Sequence, residues 1–292
     1  MKIAGAPISW GVCEVPGWGY QLPAERVLRE MREIGLVATE FGPDGFLPSD
    51  AILRQLGLAA VGGFVPVVLH EGTHEKTRDG THEGKHEGDP AVDLDRFVAA
   101  GADTVVLAAA TGLDGYDARP ELDETSWKRM LANLDRLAAA ARDRGLTAVL
   151  HPHVGTMVET TNDVRRVLDG SEIALCLDTG HLLIGGTDPV ELAEQAGDRI
   201  AHVHAKDVDA GMAAQVRGGQ RTYTEAVAAG MYRPIGDGDV DFARVAAALG
   251  RYGYDGWWVL EQDTILAGEP DGEGPVADVR RSAERLREIL VS

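Results

Sequence analysis

The sequence predicts a single (β/α)₈ barrel, on three observations. Short apolar runs rich in β-branched residues alternate with longer stretches of helical period, the pattern of βα units feeding a parallel sheet. Eight such runs occur, at 3–8, 37–41, 59–69, 104–109, 147–151, 173–178, 200–205 and 257–261. The first passes into Ser9-Trp10-Gly11 rather than a G-x-G-x-x-G turn, which removes the usual phosphate fingerprint of a doubly wound open sheet. A length of 292 residues suits one barrel, since such domains commonly hold about 250 or more.

Taken in order, the elements keep a regular rhythm. A helical pattern at 24–34 follows the first strand, and the second strand carries Glu40 near its end. The third strand runs into His70 and then a low-complexity stretch with repeated His-Glu-Gly, as in His70-Glu71-Gly72 and His82-Glu83-Gly84. Glycines cannot pre-organise ligands there, so 70–90 reads as a flexible, solvated loop that deletion of 73–87 would leave dispensable. Helical patterns at 91–100, 124–144 and 242–252 each run up to a glycine (Gly101, Gly145, Gly253), which stops a helix in the left-handed region at little cost. Further helical patterns stand at 189–196 and 276–290. Residues 209–239 form an insertion after the seventh strand, with a short helical piece at 224–229. Insertions of that size at the carboxyl end of a barrel usually cover the active site. The whole of 1–292 thus reads as one domain.

Composition narrows the partners. A formal net charge of −19 repels phosphate backbones and anionic lipid surfaces, which argues against nucleic acid and membrane binding. No apolar run nears the ~20 residues that span a bilayer. Met1-Lys2 leads straight into a strand pattern without a signal-peptide core, and the two cysteines, Cys13 and Cys176, lie far apart. Free thiols in a reducing cytosol fit best. A homo-oligomer is compatible with all of this.

In α/β barrels the reactive groups sit at the carboxyl ends of the strands. Glu40, His70, His151, Asp178, His204 and Glu261 end strands two, three, five, six, seven and eight. Each has a plainer reading: His151 and His153 could bond loop backbone, Asp178 could cap the turn at Thr179-Gly180, His204 could pair with Asp207, and Glu261 with a nearby cation. The coincidence decides the matter. His151, Asp178, His204 and Glu261 end four consecutive strands, and closure brings those ends to one rim. They are therefore expected to share one divalent ion. Imidazole and carboxylate donors without thiolate suit Mn²⁺, Co²⁺, Mg²⁺, Fe²⁺ or Zn²⁺, and donor type does not choose among them; Mn²⁺ or Co²⁺ is the first expectation. Cys176, two residues before Asp178 and on the same face, is expected beneath the ion as a buried structural thiol.

With these strand ends in place, the chain resembles the xylose isomerase-like barrel family of sugar isomerases, epimerases and inosose dehydratases. The resemblance rests on Ala6-Pro7-Ile8-Ser9-Trp10-Gly11, Thr39-Glu40-Phe41-Gly42, His151-Pro152-His153-Val154-Gly155-Thr156, Leu177-Asp178-Thr179-Gly180-His181, His202-Val203-His204-Ala205-Lys206-Asp207 and the run from Pro234 to Phe242. It spans nearly the whole chain. Within the family it is most similar to the inosose dehydratase branch, through the His-Pro-His stretch and the Tyr223-Thr224-Glu225 segment leading into Pro-Ile-Gly-Asp-Gly. That implies a metal-dependent lyase of inositol breakdown acting on a small polyhydroxylated ketone. It also makes Asp178, His204 and Glu261 the counterparts of the family's metal ligands. The epimerase branch carries a glutamate at the end of strand five, where this chain has His151.

Losing that second carboxylate undermines two-base epimerisation, whereas dehydration of a β-hydroxy ketone needs one base, charge stabilisation and one acid. Glu261 is the expected base, Lys206 the group on the ketone oxygen or enolate, and His153 the acid for the departing hydroxyl. Lys206 has an equal alternative as partner of Asp207. Trp10, Glu40, His70, His181, Tyr232 and Arg233 are expected substrate contacts, with Trp10 equally suited to the core. An isomerase or epimerase is the rival enzyme, and a barrel that only binds sugar is the rival from another class. A three-metal nuclease on this barrel is disfavoured by the net charge.

Overall fold

The computed structural model describes residues 2–43, 50–71 and 90–291. Most of the His-Glu-Gly run lies outside the described residues. Among them, eight parallel strands close a barrel: β1 (Lys2–Gly5), β2 (Ala38–Phe41), β3 (Ala59–Val67), β4 (Thr104–Ala109), β5 (Thr147–Leu150), β6 (Ala174–Asp178), β7 (Ile200–Ala205) and β10 (Trp257–Leu260), in the order β1-β10-β7-β6-β5-β4-β3-β2. The remaining strands, β8 (Asp207–Val208) and β9 (Tyr232–Arg233), form an antiparallel ribbon beyond β7.

Helices α1 (Ala24–Glu33), α2 (Asp50–Leu56), α3 (Pro90–Ala99), α4 (Glu124–Arg142), α5 (Thr161–Gly170), α6 (Thr179–Gly185), α7 (Pro189–Ala196), α8 (Ala210–Arg217), α9 (Tyr223–Ala228), α10 (Phe242–Arg251) and α11 (Val276–Val291) complete the chain. The main core lies between strands and helices and is built from Leu28, Met31, Leu134, Val167, Leu175 and Leu249 with their neighbours. Two small clusters fill the barrel itself. Ala4, Ala6, Ala38, Val61 and Val259 form one, and Val106, Val149 and Cys176 the other.

Side chains alternate across a strand, so inward Val149, Cys176, His202 and Val259 place His151, Asp178, His204 and Glu261 inward one layer higher. Cys176 is fully buried, in the position expected beneath the cluster.

Three differences from the sequence reading stand out. Strand one ends at Gly5, because Pro7 sets the first turn of a 3₁₀ helix at Pro7–Trp10. Helix α5 was not anticipated, although Thr160 and Asp163 make a reciprocal capping box at its start. Helices α2, α6 and α8 were likewise missed. The reason is clearest for α6, which is nearly all buried and shows no amphipathic period.

Candidate metal centre and cavity

Parallel register sets Asp178 beside His204, and His204 beside Val259. His151 Nε2 lies 3.2 Å from Asp178 Oδ2, and His204 Nδ1 lies 3.5 Å from the same oxygen and 3.2 Å from Glu261 Oε2. Asp178 divides its two oxygens between the two roles open to it. Oδ1 accepts the His181 backbone N–H at 2.7 Å and caps α6, while Oδ2 faces the cluster.

Lys206 Nζ stands 3.4 Å from Asp178 Oδ2, 2.9 Å from Glu261 Oε2 and 2.8 Å from Asp263 Oδ1. Its expected alternative partner is engaged elsewhere, since Asp207 accepts the backbone N–H groups of Val208, Gly236, Gly238 and Val240. Burial alone would lower the Lys206 ammonium, but Asp178, Asp263 and Glu261 outweigh it and set the group well above its ordinary value. Burial would likewise raise Glu261, yet His204 and Lys206 hold its carboxyl at about 2. Asp178 follows the same logic through Lys206 and His181, well below the usual carboxylate range.

His204 is pulled both ways. Burial lowers it, but Cys176, Glu261, Glu40 and Asp178 outweigh burial and set it well above its ordinary value. Because burial pushes the Cys176 thiol up to about 11, the carboxylates carry that effect near neutrality.

A cavity of about 340 Å³ opens over this rim. Its lining is part polar, with His151, His153, His204, Lys206, Tyr223, Glu261 and Asp263, and part apolar, with Ala6, Ile8, Phe41, Phe64 and Phe97. Glu40 lines the cavity, although its Oε1 is already engaged by His202 Nε2 at 2.7 Å and His204 Nε2 at 3.2 Å.

The other expected contacts sort by depth. His181 stacks on His153 with ring centroids 3.7 Å apart, and Tyr232 lies behind Tyr223 with its ring 5.2 Å from Lys206 Nζ. Neither lines the cavity, and three more stand farther off it. Trp10 is core, its indole N–H donating to Glu30 Oε2 at 2.7 Å. His70 turns its carbonyl to Arg129, and Arg233 pairs with Asp209 at the partly exposed ribbon. A tryptophan after a first strand and an arginine beside a tyrosine have several uses in sequence, and here tertiary packing took the plainer one.

His153 also departs from its expected role. Its Nδ1 lies 2.6 Å from the Val154 carbonyl, which only accepts, so the ring proton sits on Nδ1 and Nε2 is a bare acceptor. Burial, followed by His151 and Lys206, keeps the ring neutral by lowering it well below its ordinary value. It suits accepting a proton or hydrogen bond rather than donating one.

Sequence reasoning missed Asp263, His202 and Tyr223. Asp263 and His202 lie two residues from Glu261 and His204, on the same faces, which is the signal that would have found them. Tyr223, from α9, donates to Asp263 Oδ2 at 2.5 Å.

Ligand atoms of His151, Asp178 and His204 lie within 4.8 Å of one another, and His204 Nδ1 is buried without a hydrogen-bond partner. Such a nitrogen, facing two carboxylate oxygens, fits a divalent ion in the cluster. The fold and this rim together define a (β/α)₈ barrel with a histidine-carboxylate cluster, able to hold a metal, at the carboxyl ends of its strands. Residues 91–289 match the family described as xylose isomerase-like TIM barrel, and the chain belongs to that family.

Its curated relatives include an inosose dehydratase from Geobacillus kaustophilus, 33% identical and covering 91% of this chain and 89% of that protein. The rhizopine catabolism protein MocC of Rhizobium meliloti is 32% identical, covering 100% and 89%. Among solved structures, an L-ribulose 3-epimerase superposes with a TM-score of 0.69 at 17% identity, over 100% of this chain and 95% of that one. The IOLI protein with a binding zinc atom gives 0.69 at 15%, over 99% and 98%. No helix among the described residues is long and apolar enough to cross a membrane.

Proposed function

We propose that the protein dehydrates an inosose, 2-keto-myo-inositol being the first candidate, by removing the proton α to the ketone and expelling the β-hydroxyl. The observation that carries this reading is the asymmetry of the metal-competent rim. Among its four strand-end donors, Glu261 is the one carboxylate that lines the cavity, while His151 stands at the end of strand five. A two-base epimerisation has no matched pair of carboxylates there. The curated relatives named inosose dehydratase support the same choice.

His151, Asp178, His204 and Glu261 would hold the ion, with Mn²⁺ or Co²⁺ first among candidates. When bound, it would supply positive charge that acidifies the α-proton and steadies the enolate. Glu261, unprotonated near neutrality, takes that proton. Lys206 hydrogen-bonds the oxygen on which charge develops. Bare Nε2 of His153 accepts a substrate hydroxyl. Glu261, now carrying that proton, returns it to the departing hydroxyl, which leaves as water; the Tyr223 phenol is committed to Asp263 and is held well above its ordinary value by burial and then by Asp263. This reassigns the acid from His153. The segment 209–239, which brings Tyr223 to the wall, would cover the site, and the reading suits a cytosolic enzyme of inositol breakdown.

Incubating the Mn²⁺-loaded protein with 2-keto-myo-inositol in D₂O tests it. The expected result is a near-ultraviolet band from the enolised dione, with deuterium entering the α position of recovered inosose without inversion. An inverted isomer with no dione would make the protein an epimerase instead.

A further inference from the structure

His204 is shared by two candidate donor groups, His151-Asp178-His204 on its Nδ1 side and Glu40-His202-His204 on its Nε2 side. One neutral imidazole offers a lone pair on one nitrogen only, so the two groups compete. The structure assigns the ion to Nδ1 and makes Glu40, steadied by His202, the positioning carboxylate that enforces this choice.

On the Nε2 side the hydrogen-bonding capacity is used. Glu40 Oε1 lies 2.7 Å from His202 Nε2 and 3.2 Å from His204 Nε2, and a carboxylate only accepts, so both nitrogens carry protons toward it. With the Nε2 proton fixed, Nδ1 of His204 is left as the ligand atom. It is buried, has no hydrogen-bond partner and faces Asp178 Oδ2 and Glu261 Oε2.

Position points the same way. His151, His204 and Glu261 line the cavity, whereas His202 lies one layer deeper in the barrel, fully buried and off the lining. An ion on the Nε2 side would be closed in by His202, without the open coordination position that a reacting ion needs. The contact spans 164 residues of sequence, from β2 to β7, so barrel closure itself sets the tautomer. Carboxylates that fix a ligand histidine in this way are worth roughly 10–100-fold in metal affinity.

This rests on the metal-dependent reading above, and Zn²⁺ serves as a probe separable from substrate and turnover. In the Zn²⁺-loaded, ¹⁵N-histidine-labelled protein, with His204 assigned through His204→Gln, Nε2 should keep its proton while the Nδ1 resonance shifts. Glu40→Leu should lower Zn²⁺ affinity roughly 10–100-fold and alter the Co²⁺ absorption spectrum. Glu40→Gln, which still presents an accepting oxygen, should lose less, and His202→Gln less again. A proton on Nδ1 with Zn²⁺ at Nε2 would overturn the assignment, as would Glu40→Leu binding Zn²⁺ like the parent. Loss of binding in His202→Gln as severe as in Glu40→Leu would place the ion in the deeper group and equally overturn it. Failure of the unmodified chain to take up Zn²⁺ would remove the metal reading together with this inference, whereas uptake without dehydration would leave the inference standing alone.

Discussion

The two halves of the barrel present different chemistry to one cavity. Strands β5, β6, β7 and β10 lead into His151, Asp178, His204 and Glu261, with Lys206 and Asp263 just beyond. Strands β1 to β4 contribute mainly Ala6, Phe41, Phe64 and Val65 to the wall, and Glu40 is the one carboxylate on those four strands that reaches it. Both halves obey the same inward alternation, so the difference lies in which residue type stands where each strand stops. Under the proposed function, charge would develop against the first of these halves and a polyol ring would rest against the apolar residues of the second. Glu40 crosses between the halves to hold histidines of the far side, not to add a base on the near one.

The largest break of this contrast is Asp178→Ala, which removes the oxygen shared by His151, His204 and Lys206 and also the cap of α6. Metal occupancy should collapse, with a stability loss of about 3–5 kcal/mol from the stranded charges. Metal analysis with denaturant titration checks both, and undiminished stoichiometry would refute the donor assignment.

Glu261→Gln comes next. Turnover should drop roughly 10²–10⁴-fold, the usual effect of losing a general base. Assays at saturating metal separate this from weaker binding, and a loss below tenfold would move the base elsewhere, His153 Nε2 being the first place to look.

Gly180→Ala sharpens the contrast more gently. A Cβ there would fall 2.8 Å from Lys206 Cγ, so the lysine must shift while the donors stay in place. Turnover should fall roughly 10–100-fold with metal occupancy retained, as expected for displacing a catalytic group by about 1 Å. Full activity would show that the Lys206 ammonium is not positioned by its stem.

The smallest effect is in pH. Burial lowers His151, and lowers His153 and His181 well below the ordinary histidine value, whereas His204 beside them is raised. A lowered histidine stabilises the fold fully above its unfolded value, about 6.5, and that contribution is lost as pH falls toward the folded value. His204 works in the opposite sense, with stability present below about 6.5 and lost as pH rises through its raised value. Three outweigh one, so the melting temperature of the metal-free protein should decline from pH 7 to pH 5. His153→Gln combined with His181→Gln should flatten that slope, and an unchanged slope would shift the cause to the carboxylates.

The sequence by itself determined the barrel and the rim of donors. A periodicity of two along each strand and a break after it are local properties, and closure of eight parallel strands then forces their ends together. Strand starts and stops were legible to about one residue for the same reason, except in β3, read to 69 and ending at Val67, and at Pro7, where a fixed φ ended β1 early. Tertiary structure alone decided what each polar residue faces. Trp10 met Glu30, Arg233 met Asp209, Lys206 turned from its neighbour Asp207 toward Asp263, and Val154 fixed the proton of His153. These outcomes depend on distances of a few ångströms, several of them between residues far apart in the chain, and a hydrogen bond forms or fails within about half an ångström and a few tens of degrees. Local pattern carries no information at that scale. The strand ends could therefore be read from the sequence, whereas the protons and partners at those ends required the closed barrel.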